Sequence, residues 1–591
     1  MEIVLVLLIL AGAILLYATE WLRMDLVSLL VLLAVGLTGL VTPNEAFSGF
    51  SNPAVITVAA MFVLSAGLNQ TGALAPLGER LLKVAGRSEM HMIAAIMLVS
   101  AFFSAFINNI GATAMLMPLV TATAQKGKIS PSKLLIPLAF GSLLGGVCTL
   151  IGTPPNILVN ELMREHTGTG FGMFAFTPLG LLLLAGGILF MLLAGRHLLP
   201  DRKAGSLTEA YQVKNYISEV AILPASPLVG MTIAASGIER DFNLRVRALL
   251  RGRQKFPFPH RNRKLKAGDV LFLEGDSSGI LRVREKKGIQ LVQEAEHPVS
   301  DVGKRDEVVV VEAALTPTSE MVGKTLRDVR FADTHGLTVL AIWRKGAPVL
   351  RKVDHVALRF GDVLLLQGTR ERAIHLGRDH GFLLLGDVDR MPFRPRRGPT
   401  AILILLGVVI SVSVGLMPIM LAATLGALLM VLLRCLSVKD AYEAIDWSII
   451  VLIAGTLPLG IAMERSGTAR MLAEQLLGLL GPLGPWAVLS GLFLITFLLT
   501  AMMSNAATAV LIAPIAFETA TKLAVSPHPF YMAVAVAASA SFLTPISHQS
   551  NALVMGPGGY RFVDYLKVGT PLNLLIWLLA SLGIPVFFPF S

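Results

Sequence analysis

Ile107-Asn108-Asn109-Ile110-Gly111-Ala112-Thr113-Ala114-Met115-Leu116-Met117-Pro118 is matched, 396 residues later, by Met503-Ser504-Asn505-Ala506-Ala507-Thr508-Ala509-Val510-Leu511-Ile512-Ala513-Pro514. Each stretch sets adjacent small polar side chains in an apolar run and closes with a proline nine residues after Asn109 or Asn505. A polar group at membrane depth is costly unless it lines a cavity or binds something. Finding the same break twice points to a two-fold repeated ion or substrate site.

The surroundings of these breaks are apolar on the scale of the whole chain. Its 591 residues are 54% hydrophobic, with a mean hydropathy of +0.69. Runs suited to membrane helices recur at Ile3–Leu16, Leu26–Val41, Val55–Leu68, Leu134–Ile151 and Phe174–Ala194. A second series occupies Thr400–Gly415, Met417–Leu433, Ile449–Ala462, Val534–Leu543 and Leu572–Phe588. Several fall short of the roughly 20 residues of a straight span, as broken or tilted helices in a bundle would. Met1-Glu2 lacks the basic region of a cleaved signal peptide, so the first run is expected to be a retained span.

The repeat reaches well beyond the two breaks. Ala46-Phe47-Ser48 aligns with Ala441-Tyr442-Glu443, Gly72 with Gly467, and Asn156-Ile157-Leu158-Val159 with Asn551-Ala552-Leu553-Val554, all at an offset of 395. A register held this long marks an internal duplication. Each half offers five spans plus a segment, Glu89–Lys126 or Leu483–Lys522, centred on the break. The first is flanked by Arg80, Lys83 and Arg87 and by Lys126, Lys128 and Lys133, which puts both its ends on the cytoplasmic side. A re-entrant hairpin follows. Five spans per half is an odd number, so the second half is expected to be inverted and its hairpin to enter from outside. The expected fold is a polytopic α-helical membrane protein of two inverted repeats, at 1–200 and 391–591. Each would hold about five spans, a re-entrant hairpin and a broken helix.

Charge separates a third region. Residues 201–398 hold 34 of the 50 Lys and Arg and 24 of the 39 Asp and Glu. Arg196, Arg202 and Lys203 on one side, and Arg394, Arg396 and Arg397 on the other, place this insert in the cytoplasm. It too repeats, at an offset of 93: Ser226-Pro227-Leu228-Val229-Gly230 matches Ser319-Glu320-Met321-Val322-Gly323, and the run from Gly268-Asp269 to Gly275 matches that from Gly361-Asp362 to Gly368. Alternating apolar runs such as Glu307–Ala313 and Leu337–Trp343, punctuated by Gly-Asp turns, predict two small β-rich (α+β) domains, at 201–300 and 301–390. Both resemble the TrkA-C (RCK C-terminal) type of regulatory domain, on the S-x-x-V-G and G-D-x-L patterns. No G-x-G-x-x-G fingerprint accompanies them, so a dinucleotide-binding half is not expected.

Two cysteines, Cys148 and Cys435, both lie in apolar stretches; they predict buried thiols and offer no disulfide framework or metal spacing. No paired carboxylates, nucleophile–base set or phosphate-cradling loop argues for an enzyme, and no feature points to nucleic acid. The basic run Arg251, Arg253, Lys255, Arg261, Arg263, Lys264 and Lys266 reads as a solvated loop, or else as a contact for the anionic leaflet or a small anionic effector. Glu20 and Asp25, with Trp21 and Arg23, mark a span end at the membrane interface. Glu518, one turn from Lys522, reads as a solvated mouth position.

A helix broken at membrane depth exposes carbonyls at one half-helix end and N–H groups at the next, suited to Na⁺ and to an anion respectively. Ser104, Asn108 and Asn109, and Thr500, Ser504 and Asn505, would complete hard-oxygen shells for the cation. A second break in each half strengthens the case. Gly152-Thr153-Pro154-Pro155-Asn156 cannot continue a helix, and Thr544-Pro545-Ile546-Ser547-His548-Gln549-Ser550-Asn551 is its counterpart. His548 could bond an anion, carry a proton, or be satisfied by neighbouring carbonyls.

On these motifs the membrane region resembles the divalent anion/sodium symporters of the ion-transporter superfamily, over nearly all of 1–200 and 399–591. The resemblance implies one Na⁺ site at Ser104, Asn108, Asn109 and the Gly152 carbonyl, and another at Thr500, Asn505 and carbonyls near Met503 and Ser547. It implies an anion held by the hairpin tips and breaks, with Asn109, Ile110, Thr153, Asn156, Asn505, Ala506, His548 and Asn551 as the candidate residues. Ile110 and Ala506 stand where the family pattern has threonines, which argues against dicarboxylates, and the regulator-type insert makes the chain resemble the family's sulfate and other inorganic-anion carriers, which favours sulfate. The expected protein is a Na⁺-coupled symporter of a small divalent anion in a bacterial-type inner membrane, working by alternating access as a homodimer among membrane lipid. A dicarboxylate symporter or Na⁺/H⁺-type antiporter of the same superfamily is the nearer alternative. A ligand-gated channel or membrane sensor is the more distant one.

Overall fold

The computed structural model describes residues 1–19, 21–73, 88–127, 129–201, 216–242, 244–252, 254–257, 260, 262–275, 289–291, 308–315, 319–344, 347–349, 353–359, 362–377, 379, 381–385, 397–545 and 547–591. Glu20, Arg80, Lys83, Arg87, Lys128, Arg202, Lys203, Arg253, Arg261, Glu307, Gly361, Arg394, Arg396 and Ile546, invoked above, lie outside the described residues. The chain divides into two units, Met1–Arg202 with Phe393–Ser591, and Lys203–Pro392.

The first unit is helical. Its first series is α1 (Glu2–Thr19), α2 (Met24–Leu37), α3 (Pro43–Phe47), α4 (Pro53–Thr71), α5 (Glu89–Ser104), α6 (Asn109–Gly127), α7 (Leu135–Gly146), α8 (Pro154–Thr167) and α9 (Thr177–Phe190). The second is α10 (Gly398–Ser413), α11 (Ile419–Leu432), α12 (Val438–Glu443), α13 (Trp447–Arg465), α14 (Thr468–Leu480), α15 (Pro485–Thr500), α16 (Asn505–Leu523), α17 (His528–Ser539), α18 (Gln549–Met555) and α19 (Phe562–Phe587). Six helical stretches among the described residues are long and apolar enough to cross a membrane: Glu2–Thr19, Pro43–Thr71, Thr177–Leu198, Trp447–Arg465, Asn505–Leu523 and Phe562–Phe587.

Local chemistry sets the ends of these helices. Thr42 and Glu45 form a capping box on α3, as Ser437 and Asp440 do on α12. Asn52 caps α4 ahead of Pro53, and Asp446 caps α13. Gly72 and Gly467 follow α4 and α13 with φ of +61° and +77°, left-handed conformations that glycine adopts without a Cβ penalty.

Packing repeats along with sequence. Helices α2 and α13 pack together, and so do their counterparts α11 and α4; α5 with α7 is matched by α15 with α17, and α1 with α2 by α10 with α11. Helix α9 packs on its own counterpart α19. Small residues allow these approaches. Gly145 of α7 lies against the Ala101 backbone of α5, Gly49 against the Ala454 carbonyl, and Gly455 against Ser28. Two contacts cross between the halves and govern the site. Helix α8 packs on α16 and α17, and in exchange α18 packs on α6 and α7.

Two expected spans are shorter than the apolar runs suggested. Helix α7 stops at Gly146 although the apolar run reaches Ile151, and α17 stops at Ser539 although its run reaches Leu543. Hydroxyl and amide groups hold the chain out of the helix beyond those points, as described below. Helix α14 was not anticipated, because its single apolar face is too short to read as a span. Lys522 bonds Glu474 of α14 at 2.6 Å, so its partner is this helix and not the Glu518 one turn away.

In the second unit each half of the duplication forms a five-stranded antiparallel sheet. Strands β1 (Tyr216–Ile222), β2 (Arg245–Arg251), β3 (Gln254–Pro257), β4 (Val270–Gly275) and β5 (Ile289–Leu291) run in the order β3-β2-β4-β1-β5. Strands β6 (Val308–Leu315), β7 (Thr338–Arg344), β8 (Ala347–Pro348), β9 (Val363–Thr369) and β10 (Phe382–Leu385) run in the order β10-β6-β9-β7-β8. A register shift recurs at Val246/Ala248 and at Val339/Ala341. In each sheet one arginine clamps one buried aspartate: Arg251 bonds Asp269 at 2.7 and 2.6 Å, and Arg344 bonds Asp362 at 2.7 and 2.6 Å. Arg251 is therefore committed inside the sheet and does not belong to a free basic patch. Arg263 lies 3.7 Å over the Phe256 ring.

Candidate functional site

Each hairpin turns over four residues. In the first, α5 ends at Ser104 and α6 begins at Asn109. The Ser104 hydroxyl donates to Asn109 Oδ1 at 2.6 Å, and Ser142 of α7 donates to Ser104 Oγ at 3.1 Å and to the Asn109 carbonyl at 2.9 Å. Thr149, past the end of α7, donates to the Ala105 carbonyl in the hairpin turn. Gly146 lies directly against Asn109 Oδ1, and Gly152 against the Gly146 carbonyl. The hairpin tip and the broken helix are thus one bonded assembly, with Ser104 and Asn156 fully buried and Asn109 5% exposed.

The second hairpin builds the same assembly from different side chains. Thr500, the counterpart of Ser104, donates to Asn505 Oδ1 at 2.9 Å and to the Ala538 carbonyl at 2.8 Å. Ser541, at the position matching Gly146, adds a second donor to Asn505 Oδ1 at 2.8 Å. Ser504 caps α16 through the Ala507 N–H at 3.2 Å.

The broken helices are held open by one device used twice. Asn156 donates from Nδ2 to the carbonyls of Thr149 and Gly146, at 2.8 and 3.4 Å. Asn551 does the same to Ser541 and Thr544, at 2.7 and 3.1 Å. All four acceptors lie in non-helical backbone or at a helix end, where a helix no longer supplies donors. The other amide atom is left over in both cases. Among the described residues, Asn156 Oδ1 and Asn551 Oδ1 are buried without a hydrogen-bond partner, and so are Thr153 Oγ1 and Ser550 Oγ. A buried oxygen without a donor costs about 1–3 kcal/mol unless a ligand meets it. Each half therefore carries uncompensated oxygens at its break, and a cation is the group that oxygens satisfy.

Exchange of α8 and α18 between the halves brings the breaks into one core. Thr153 and Asn156 begin the helix that packs on the second hairpin arm, and His548 and Asn551 begin the helix that packs on the first. Phe140 of α7 stacks edge-on against Phe542 of the second break, with centroids 5.1 Å apart.

Of the residues singled out from sequence, Ser104, Asn109 and Gly152 come together in one assembly. Thr500, Asn505, Ser547 and Asn551 come together in the other, Ser547 donating to the Ser541 and Thr544 carbonyls at 3.1 and 2.8 Å. Asn108 shares no hydrogen bond with its neighbour's network: its Oδ1 caps α6 through the Gly111 N–H at 2.6 Å. Met503 is buried in the second turn, Ala506 is buried, and Ile110 is half-buried. His548 accepts from the Ser550 N–H at Nδ1, 3.1 Å away, which caps α18. Ser142, Thr149, Ser541 and Thr544 were missed. Their signal was present in Ser142 and Ser541, hydroxyls set in apolar runs at membrane depth. What they bond to follows only from helix packing.

A further junction joins the halves. His166 at the end of α8 bonds the Tyr531 hydroxyl at 2.6 Å and Glu464 of α13 at 2.9 Å, and stacks on Phe517 with centroids 4.5 Å apart. Arg465 of α13 pairs with Glu45 of α3.

Comparison with known proteins bears on this arrangement. The citrate transporter family (CitMHS) matches residues 14–537. An uncharacterized transporter of Synechocystis is 37% identical over 589 residues, covering 98% of this chain and 96% of its own. An uncharacterized transporter of Escherichia coli is 35% identical over 615 residues, with all of both chains covered. Sodium/sulfate cotransporter 2 of Chlamydomonas reinhardtii is 24% identical over 780 residues, covering 96% of this chain and 87% of its own.

Proposed function

The chain belongs to the citrate transporter family, a family of membrane transporters, and from that footing we propose that it carries a small divalent anion, sulfate first, together with Na⁺. The observation that carries this reading is the doubled assembly of hydroxyl, hairpin asparagine and break asparagine, with uncompensated buried oxygens at both breaks. Oxygens of this kind suit Na⁺, and helix starts at the same places suit the anion. Ser104, Asn109 and Gly152 serve the first cation, with Asn108 beside them as the helix cap. Thr500, Met503, Asn505 and Ser547 serve the second. The anion is held by the tips and breaks at Asn109, Thr153, Asn505 and His548, with Ile110 and Ala506 as apolar walls, while Asn156 and Asn551, whose N–H groups are taken, turn their leftover oxygens to the cations. The sodium and sulfate named for the algal relatives support the choice of ions.

The two halves are arranged in opposite orientation in an inner membrane, and alternating access exposes the shared core to each side in turn. The insert at 201–398 faces the cytoplasm, and the transporter works as a homodimer. A second reading takes a carboxylate anion, favoured by the citrate in the family's description.

Uptake of radiolabelled sulfate, succinate and citrate into vesicles, with and without a Na⁺ gradient, tests these readings together. Sulfate accumulation that needs Na⁺ and disappears in Asn109→Ala and Asn505→Ala is expected. Accumulation of a carboxylate but not sulfate selects the second reading. Accumulation of none of the three under either gradient refutes both.

A further inference from the structure

His166 stands near the end of the helix that begins at the first break, and it is held by the second half on three sides. Its Nε2 lies 2.9 Å from Glu464 Oε1 of α13, and its Nδ1 lies 2.6 Å from the Tyr531 hydroxyl of α17. Its ring is stacked on Phe517 of α16. A carboxylate accepts and does not donate, so Nε2 carries a hydrogen. In the neutral ring Nδ1 then accepts from Tyr531. A proton taken from water at Nδ1 reverses that one bond, and the bond to Glu464 becomes an ion pair. Both contacts survive either way, and their strength changes. Glu464 is 35% exposed, beside the exposed Arg164 and Arg465, so water reaches the pair.

The two partners of this bond belong to different parts of the helical unit. Helices α8, α16 and α17 begin or end at the breaks and hairpin tips. Helix α13 gives no residue to either assembly; it packs on α2, and Arg465, next to Glu464, pairs with Glu45 of α3. The bond therefore ties the helices of the site to a helix outside it. Repeat packing does not demand it. Helix α18, the counterpart of α8, stops at Met555, which matches Asn160, and Asn69 stands at the position matching Glu464.

The neighbouring charges leave this imidazole as the group that switches. On α8, Glu161 pairs with Arg164, and Glu165 adds a second negative charge near the ring. On α16, Lys522 bonds Glu474, and Glu518 follows Phe517. On α17, His528 bonds Ser526 at 3.2 Å. Helix α4, which also packs on α8, carries no titratable group. Among ordinary side chains imidazole is the one that changes charge between about pH 5 and 8.

We propose that His166 is a proton-operated latch: its protonated form holds α8 to α13 and slows the movement of the site helices. The inference rests on the alternating-access reading and adds pH as its regulator.

The test is initial uptake of radiolabelled sulfate by the full-length protein in vesicles, under a Na⁺ gradient and with equal pH on both sides. Between about pH 8 and 5.5, where imidazole titrates, the wild-type rate falls about tenfold, the difference between a neutral and a charge-assisted hydrogen bond. Sulfate keeps its charge over this range. His166→Gln keeps a donor and an acceptor without a titrating ring, and Glu464→Gln removes the ion pair; both flatten the profile. Thermal stabilisation by Na⁺ stays unchanged in both variants, which reports that they fold. Hydrogen exchange over 160–167, corrected for intrinsic rates, reads the latch independently of cargo: acid slows it in the wild type and in neither variant. If sulfate is carried with a flat wild-type profile, or if His166→Gln keeps the wild-type profile, the latch is refuted and the transport reading stands. If no sulfate enters at any pH, the sulfate reading falls and exchange decides: equal exchange at both pH values in the wild type refutes the latch.

Discussion

Single amide groups decide how these broken helices stay open. Asn156 and Asn551 each spend both N–H bonds on backbone carbonyls that a continuous helix would have satisfied, and each leaves its oxygen over. Asn156→Ala and Asn551→Ala strip two carbonyls at once in a place where water is scarce. Each is expected to lower the thermal midpoint of the purified protein by several degrees, from a loss of about 1–3 kcal/mol. Each is also expected to abolish stabilisation by Na⁺, measured in the same melts. Thr500→Val is milder, because Ser541 still donates to Asn505 Oδ1. It should raise the Na⁺ concentration for half-maximal stabilisation several-fold and leave the protein folded. The asparagines themselves were legible in the sequence, since an amide in an apolar run stands out. Their acceptors were not, because a carbonyl has no sequence signature.

At the scale of elements, the two sheets of the insert show one design with two locks. Asp362 is 1% exposed at its side chain and takes two bonds from Arg344 and one from the Arg359 N–H. Asp362→Ala leaves the guanidinium without its partner and is expected to cost the second sheet about 3 kcal/mol. Hydrogen exchange over β7 and β9 measures that loss. His335 adds a pH dependence to the same sheet. It lies against Phe331 and Phe382, and burial holds its imidazole below the ordinary histidine range. A histidine whose folded value is depressed is protonated first in the unfolded chain. Stability is therefore complete above about pH 6.5 and is lost as pH falls from there toward the folded value. Exchange over β7 and β9, corrected for intrinsic rates, should quicken between about pH 7 and 5 in the wild type. In His335→Phe it should not. The Gly-Asp turns made these strands readable in sequence; of the two clamping arginines, Arg251 was read instead as part of a basic run and Arg344 was not singled out.

For the whole molecule, the question is how the two halves lie across the bilayer. Matching helices pack in matching pairs, and α9 packs on its own counterpart α19. An odd number of spans per half would make the second half run in the opposite sense. Ser88 and Leu483 begin the corresponding hairpins and are exposed, while native Cys148 and Cys435 are buried. Leu483→Cys is expected to react with a membrane-impermeant maleimide applied from outside. Ser88→Cys should react only after permeabilisation. Labelling of both from the same side would refute the opposite orientation.

Sequence by itself determined where the chain changes character: the two polar breaks, the prolines that end helices, the offset of 395 and the charged insert. These are local properties, set by side-chain type against an apolar or alternating background, so a linear reading finds them. Tertiary structure alone decided which groups meet. It placed α8 on the second hairpin arm and α18 on the first, put Ser142 and Ser541 on the hairpin asparagines, and set His166 against Glu464 and Tyr531. Such meetings join residues far apart in the chain through helix packing, and packing depends on the shape of whole faces rather than on any one residue. The breaks were therefore visible from the start, and the bonds that turn them into a site were not.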